Sequence, residues 1–143
     1  MILVTGGTGL VGSHLLYQLT TNNNPVRAIY RNKNKLALTK KIFSYYSENP
    51  DILFNKIDWV EADLLDIPLL TEAFKGITHV YHAAAFVSFE PDKYHLLRKT
   101  NIEGTANIVN LSIANKIEKL CYVSSVATIG SATSKDTLNE LTL

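Results

Sequence analysis

The chain has 143 residues, of which 46% are hydrophobic and 19% charged, a balance typical of a folded domain that buries an apolar core. Its formal net charge of +1 gives no electrostatic reason to expect a nucleic acid or an anionic membrane as partner. Cys121 is the one cysteine, so an internal disulfide is excluded and a small buried core thiol is predicted. No window approaches the roughly 20 apolar residues of a membrane span, and no signal peptide is recognisable, so we expect a cytoplasmic protein.

Five short apolar runs, separated by helical patterns, predict a parallel sheet. The runs cover residues 1–5, 26–30, 57–61, 79–82 and 120–124 and are mostly unbroken, as in strands covered on both faces. Helical spacing is found over residues 10–19, 65–74 and 92–115, whereas residues 32–55 predict a surface loop leading into a helix. This order predicts one domain over residues 1–143, with a Rossmann-type doubly wound α/β fold of at least five strands. In the long helix, one face is predicted to carry Tyr94, Leu97, Asn101, Thr105 and Ile108.

The first strand is followed by a glycine-rich turn that opens a helix, the context in which such a motif binds a dinucleotide. Gly6 and Gly7 permit a tight turn. Gly9 allows the backbone to approach a pyrophosphate, and Gly12 lets the helix pack close to the strand. The free amides of the first helical turn and the helix dipole favour the phosphate charge, although a strand-turn-helix without a ligand is the alternative. The predicted phosphate-binding residues are Gly6, Thr8, Gly9, Leu10, Val11 and Gly12.

The end of the second strand carries a base where many dinucleotide sites carry an acid. An NAD site generally places Asp or Glu about 20 residues past the glycines, where it accepts hydrogen bonds from the adenosine ribose. This sequence has Arg31 there, followed by Asn32, Lys33 and Lys35. Because a guanidinium can pair with a 2′-phosphate in bidentate fashion, the sequence predicts NADP rather than NAD. NAD and a simple solvated basic loop are the alternatives.

Further candidate residues follow the third, fourth and fifth strands, at the edge where open α/β sheets bind ligands. The carboxylate of Asp63 could accept from an adenine amino group, or it could cap the next helix. The alanines that follow His82 would let the backbone approach a cofactor, or they could simply pack. Ser125 is either a site residue or an ordinary turn residue. The candidates are Asp63, Leu64, Ala83, Ala84, Ala85, Asn101, Ser124 and Ser125.

With these motifs in this order, the whole sequence resembles the extended short-chain dehydrogenases/reductases, of the NAD-dependent epimerase/dehydratase type. Residues 5–12 match that family's T-G-x-x-G-x-x-G, Asp63-Leu64 its D-L pair, and residues 82–85 its H-x-A-A motif. Asn101 matches its helix asparagine, and residues 122–125 match its fifth strand with the active-site serine. Residues 26–31 look most like the dihydroflavonol-4-reductase branch, which uses NADPH. The general pattern fits nucleotide-sugar epimerases and dehydratases equally well.

The resemblance implies an enzyme that passes hydride between a nicotinamide and a carbonyl or alcohol carbon of a small-molecule or nucleotide-sugar substrate. It implies that Ser125 hydrogen-bonds the substrate oxygen, that Asn101 belongs to the catalytic set and that Ser124 lies beside the nicotinamide. The family's general acid/base is the tyrosine of a Y-x-x-x-K motif, which these 143 residues do not contain. We expect that motif beyond residue 143.

The last residues, 131–143, are polar and end without a recognisable terminus, so the C-terminal, substrate-binding part of the family fold is expected to be absent. The isolated chain is then expected to be inactive. The alternative function is that of a non-catalytic NADP-binding sensor that keeps the glycine turn and lacks the tyrosine. A homodimer formed through the long helix is expected by resemblance only, and no metal site is predicted.

Overall fold

The computed structural model describes residues 1–129 and shows a five-stranded parallel sheet with flanking helices. The strand order is β3-β2-β1-β4-β5, the order of a doubly wound dinucleotide-binding fold, which confirms the predicted fold class. The polar stretch of residues 131–143 lies outside the described residues. The strands are β1 (Ile2–Thr5), β2 (Val26–Tyr30), β3 (Asp58–Glu61), β4 (His79–His82) and β5 (Lys119–Tyr122).

The helices connect these strands in chain order. The predicted loop and helix of residues 32–55 form two helices, α2 and α3, after a 3-10 turn at Lys33–Lys35. The long helical pattern is one continuous stretch whose middle, Lys99–Gly104, is π-helical. Across the described part of the chain, no helix is long and apolar enough to cross a membrane. The helices are α1 (Leu10–Thr21), α2 (Leu36–Ser44), α3 (Pro50–Phe54), α4 (Ile67–Ala73), α5 (Tyr94–Arg98) and α6 (Thr105–Ala114).

The core lies on both faces of the sheet, and the central strand β1 contributes to each. Leu3 and Val4 are neighbours in the chain, and their side chains point to opposite faces of the sheet. Both residues are fully buried, so both faces of β1 are covered. Leu3 packs in a cluster that includes Ile108 of the long helix, and Val4 packs in a cluster that includes Leu16 of α1. Of the residues predicted to share one face of the long helix, Ile108 is fully buried in the core, whereas Tyr94 is 64% exposed.

The expectation that the strands are covered on both faces does not hold at the sheet edges. The four residues of β5 are all exposed, and none of the four residues of β3 is fully buried. Cys121 on β5 is likewise exposed, which contradicts the predicted buried thiol. The physical reason is position in the sheet: within residues 1–129, β5 pairs with β4 alone, and none of its four residues packs into either core cluster.

Candidate functional site

A cleft of about 160 Å³ opens at the carboxyl ends of the strands. The glycine turn after β1 forms its floor, and the residues that follow β2, β3 and β4 form its walls. The sequence predicted most of these segments, including the basic stretch that contains Lys35, but it did not single out Thr100 from the π-helical stretch. The lining residues are Gly6, Thr8, Gly9, Ile29, Tyr30, Arg31, Lys35, Ala62, Leu64, Ala83, Ala84, Ala85 and Thr100.

The glycine turn leaves no room for side chains at two of its positions. Gly6 has a φ of +70°, and a Cβ built on it would lie 2.6 Å from the amide nitrogen of Ala84. A Cβ on Gly12 would overlap the carbonyl of Gly6, so the first turn of α1 packs against the glycine turn itself. These two glycines bring the N-terminus of α1 and the segment after β4 close together on the cleft floor.

The N-terminus of α1 has the unpaired amides that an anion needs. Gly9 is the N-cap residue, and neither a capping side chain nor an acidic residue is present in the first turn. Within residues 1–129, the amides of Leu10, Val11 and Gly12 have no protein acceptor, whereas the Ser13 amide donates to the Gly9 carbonyl at 2.9 Å. Unpaired amides and the positive end of the helix dipole favour a phosphate at this place, so the arrangement fits the pyrophosphate of a dinucleotide.

After β2 and β3, a basic residue that lines the cleft faces an acidic residue. Arg31 follows β2, and its Nη1 lies 3.4 Å from Oδ2 of Asp63, with 57% and 40% of the two side chains exposed. The other carboxylate oxygen of Asp63 accepts from the amide of Leu65 at 2.9 Å. The N-cap of α4 is Asp66, which accepts from the Leu69 amide at 3.0 Å. The capping alternative for Asp63 was therefore wrong, since Asp66 has that role.

The long helix contacts the residues that follow β3. A Cβ built on Gly104 would lie 2.9 Å from Cβ of Leu64, so the helix approaches Leu64 as closely as a glycine allows. One turn later, Nδ2 of Asn107 donates to the carbonyl of Leu64 at 2.8 Å. The helix thus fixes both the side chain and the backbone of a residue that lines the cleft.

Asn101 holds the backbone of the segment after β4. Its Oδ1 accepts from the amide of Phe86 at 2.8 Å, and its Nδ2 donates to the carbonyl of the same residue at 2.8 Å. Asn101 lies in the π-helical stretch, a geometry that is frequent at functional sites. Both ends of the amide are thus engaged with the wall of the cleft, and the catalytic role of Asn101 stays a prediction.

His82 forms a buried network that sequence reasoning missed. The ring is 1% exposed; its Nδ1 lies 2.6 Å from Oγ1 of Thr5, and its Nε2 lies 2.9 Å from Oγ1 of Thr105. Burial lowers the pKa of His82 from 6.5 to about 4, so the imidazole is neutral at pH 7. The available signals were the pairing of the first and fourth strands, which sets Thr5 beside His82, and the position of Thr105 on the sheet-facing side of the helix.

The two candidate serines follow β5, and both are exposed. The preceding amide, that of Val123, donates to the carbonyl of His82 at 3.0 Å and so anchors this end of β5 to β4. The carbonyl of Ser125 accepts from Oγ1 of Thr128 at 2.6 Å, at the start of a short 3-10 turn. The assignments of Ser124 to the nicotinamide and of Ser125 to the substrate stay predictions. No group of residues that could bind a metal occurs within residues 1–129.

Comparison with known proteins gives matches over nearly the whole chain. Residues 2–143 match the NAD dependent epimerase/dehydratase family. A putative dihydroflavonol 4-reductase from Synechocystis is 37% identical over 128 residues, which are 89% of this chain and 33% of that protein. A short-chain dehydrogenase/reductase superfamily protein from Agrobacterium tumefaciens, solved with bound NAD, is 26% identical with a TM-score of 0.70, covering 90% of this chain and 33% of that one.

An epimerase from Methanothermobacter thermautotrophicus is 25% identical with a TM-score of 0.79, and the match covers 97% of this chain and 39% of that one. A sterol-4-alpha-carboxylate 3-dehydrogenase from Dictyostelium discoideum is 30% identical over 131 residues, which are 90% of this chain and 36% of that protein. The chain therefore spans about a third of the length of the curated relatives it matches.

Proposed function

The chain belongs to the NAD dependent epimerase/dehydratase family, and we propose that the protein containing it is an NADP-dependent oxidoreductase acting on a carbonyl or alcohol carbon of a small molecule. The observation that carries this proposal is the cleft itself, which combines unpaired amides at the N-terminus of α1 with two bases, Arg31 and Lys35, after β2. An anion-binding floor and a cationic end are the features that a phosphorylated dinucleotide requires.

The residues of the cleft fit the parts of such a cofactor in order along its length. The amides of Leu10 and Val11 would bind the pyrophosphate, and the Gly6 turn allows its close approach. Leu64 would contact the adenine, with Asp63 beside it as the acceptor for the amino group. The cofactor supplies hydride transfer at the nicotinamide, and the protein supplies binding and orientation.

The choice of NADP over NAD depends on Arg31. In the structure its guanidinium is paired with Asp63 at 3.4 Å, in an exposed ion pair of the kind that contributes little to stability. Replacement of this weak pairing by bidentate bonds to a 2′-phosphate is favourable because the phosphate carries more charge and offers more acceptors. Lys35 also lines the cleft and adds a second positive charge.

Arg31→Asp is expected to weaken NADPH binding by on the order of 10-fold to 100-fold, the effect of losing charge-assisted hydrogen bonds, and to change NADH binding far less. Lys33→Asp is the matched control: it makes the same charge change on the same exposed loop, outside the cleft lining. Affinities are measured by titration of cofactor fluorescence. Equal losses for NADPH and NADH would refute the 2′-phosphate assignment.

We propose that Ser125 hydrogen-bonds the reacting oxygen of the substrate and that a tyrosine and lysine outside these 143 residues complete the proton transfer. Support comes from the position of Ser125 after β5, at the same edge of the sheet as the cleft. The test is NADPH oxidation by the full-length protein with a panel of ketone and aldehyde substrates, with Ser125→Ala beside the wild type. Tight NADPH binding without any turnover would instead support the sensor function.

We also propose that the protein is cytoplasmic and that it forms a homodimer through the long helix. The long helix exposes Ile102, Val109 and Ile113, by 57%, 36% and 71%, at spacings of one helical face. An apolar stripe of this kind suits packing against a second long helix. Sedimentation of the full-length protein over a range of concentrations tests the dimer, and a concentration-independent monomer would refute it.

A further inference from the structure

The buried imidazole of His82 connects parts of the cleft that lie far apart in the sequence. Thr5, on its Nδ1 side, is the last residue of β1 and comes immediately before Gly6 of the glycine turn. Thr105, on its Nε2 side, is the first residue of α6. A neutral imidazole satisfies both hydroxyl groups in either tautomer, because each hydroxyl can donate or accept. The Thr5–His82–Thr105 network therefore ties the glycine turn to the long helix.

The network also sets the position of the cleft wall after β4. The amide of Ala84 donates to Oγ1 of Thr5 at 3.2 Å, so the hydroxyl oxygen that contacts His82 also holds the wall. The fit there is close, since a Cβ on Gly6 would lie 2.6 Å from the Ala84 nitrogen. A displacement of Thr5 Oγ1 would therefore move the wall relative to the floor of the cleft.

His82 has a third contact, on the side of β5. The ring of Tyr122 stacks on the imidazole, with centroids 5.4 Å apart and planes inclined by 24°. The backbone of the same region is held as well, because the amide of Val123 donates to the carbonyl of His82. The candidate serines follow directly in the chain. His82 thus contacts the strand that leads to them as well as the residue that holds the cofactor wall.

We propose that His82 is a positioning residue that aligns the glycine turn, the wall at Ala84 and the end of β5 around the cofactor. His82 is buried and does not line the cleft, whereas the next two residues, Ala83 and Ala84, do, so it would act through them. The proposal rests on the proposed cofactor site. If so, removal of the Thr105 hydroxyl should loosen the His82 ring and the Thr5 side chain, and should thereby weaken the hydrogen bond of the Ala84 amide.

Thr105→Val tests this, because it removes the hydroxyl at nearly constant volume, and Thr105→Ser is the matched control that keeps the hydroxyl. Hydrogen exchange at individual amides is measured by NMR without cofactor. Thr105→Val is expected to speed exchange at Ala84 by about 10-fold, the effect of weakening one hydrogen bond, with core amides such as Val80 unchanged. His82→Phe, which keeps a ring beside Tyr122, is expected to do the same, whereas Thr105→Ser matches the wild type.

The same variants are titrated with NADPH, for which Thr105→Val and His82→Phe are expected to bind about 10-fold more weakly and Thr105→Ser normally. Unchanged exchange at Ala84 in both variants, or equal acceleration at Ala84 and Val80, would overturn the positioning role. If the wild type binds neither NADPH nor NADH, the proposed function fails, and the exchange experiment still decides whether the network holds the wall.

Discussion

The stability of this fold is expected to fall as the pH is lowered from 7.5 to 4, because His82 is buried in its neutral form. The imidazole is 1% exposed, and its contacts within residues 1–129 are two hydroxyl groups and the ring of Tyr122, with no carboxylate to stabilise a positive charge. Its pKa is lowered by burial from 6.5 to about 4. The unfolded chain therefore takes up a proton near pH 6.5, whereas the folded chain resists protonation until pH 4.

The sign and size follow from proton linkage. Between pH 6.5 and 4 the unfolded state binds more protons than the folded state, so the free energy of unfolding falls as the pH is lowered through this window. With these two pKa values the loss is about 2 kcal/mol at pH 5 and about 3 kcal/mol at pH 4, relative to pH 7.5. Above about pH 7.5 the contribution of His82 is constant, because neither state binds the proton there. A loss of this size is a large fraction of the 5–15 kcal/mol typical of a domain.

The assay is urea unfolding at half-unit pH intervals, followed by circular dichroism, for the wild type and for His82→Phe. The variant lacks the titrating group, whereas the other ionisable groups, His79 and Glu118 among them, are the same in both proteins. The difference between the two pH profiles therefore isolates His82. Parallel profiles between pH 7 and 4 would refute the reasoning, as would an NMR titration in which the His82 ring protonates near pH 6.5.

Three further substitutions test contacts that position the cleft or the sheet. Gly104→Ala adds a Cβ 2.9 Å from that of Leu64, which lines the cleft, and so displaces Leu64. Fluorescence titration is expected to show NADPH binding weakened several-fold, even though alanine stabilises a helix by about 1 kcal/mol relative to glycine. Asp66→Ala removes the N-cap of α4 and is expected to cost about 1 kcal/mol in urea unfolding. Arg27→Met removes the 2.7 Å bond to the Asp58 carboxylate on β3 and the bonds of 3.0 and 2.9 Å to the carbonyls of Ala73 and Lys75 near the end of α4. It is expected to lower the free energy of unfolding by about 1–3 kcal/mol.

Each of these substitutions has a matched control. Glu103→Ala changes the exposed neighbour of Gly104 and is expected to leave NADPH binding intact. Asp66→Asn keeps a good N-cap and is expected to unfold at the same urea concentration as the wild type. Arg27→Lys keeps the charge and is expected to recover part of the lost stability. Normal binding by Gly104→Ala, or equal stability of the alanine and asparagine variants at position 66, would contradict the contacts assigned to them.

The order of the elements and the glycine turn could be predicted from the sequence because they depend on local chemistry. An unbroken apolar run, a glycine with positive φ at Gly6 and a helix without a capping side chain follow from neighbouring residues. The position of Arg31 directly after β2 could be predicted in the same way, because the apolar run that forms the strand ends at Tyr30. These features led directly to a cofactor cleft at the carboxyl edge of a parallel sheet.

The errors concerned burial. An apolar run such as residues 120–123 predicts a strand, but its exposure depends on whether another strand or helix lies beside it, and that information is not in the run. Cys121 was misplaced for this reason. The segment of residues 32–55 formed two helices rather than a loop and one helix, and Phe43 of the first of them is fully buried in the core.

The sequence by itself therefore determined the strand order along the chain, the glycine turn and the basic residue at the end of β2. The tertiary structure alone decided which distant residues meet. Thr5 and His82 lie 77 positions apart and become neighbours because β4 pairs with β1 rather than with β3. Arg31 meets Asp63, and Gly104 meets Leu64, for similar reasons. Local propensities set each element, but the pairing of strands and the packing of the long helix bring the residues of the cleft together.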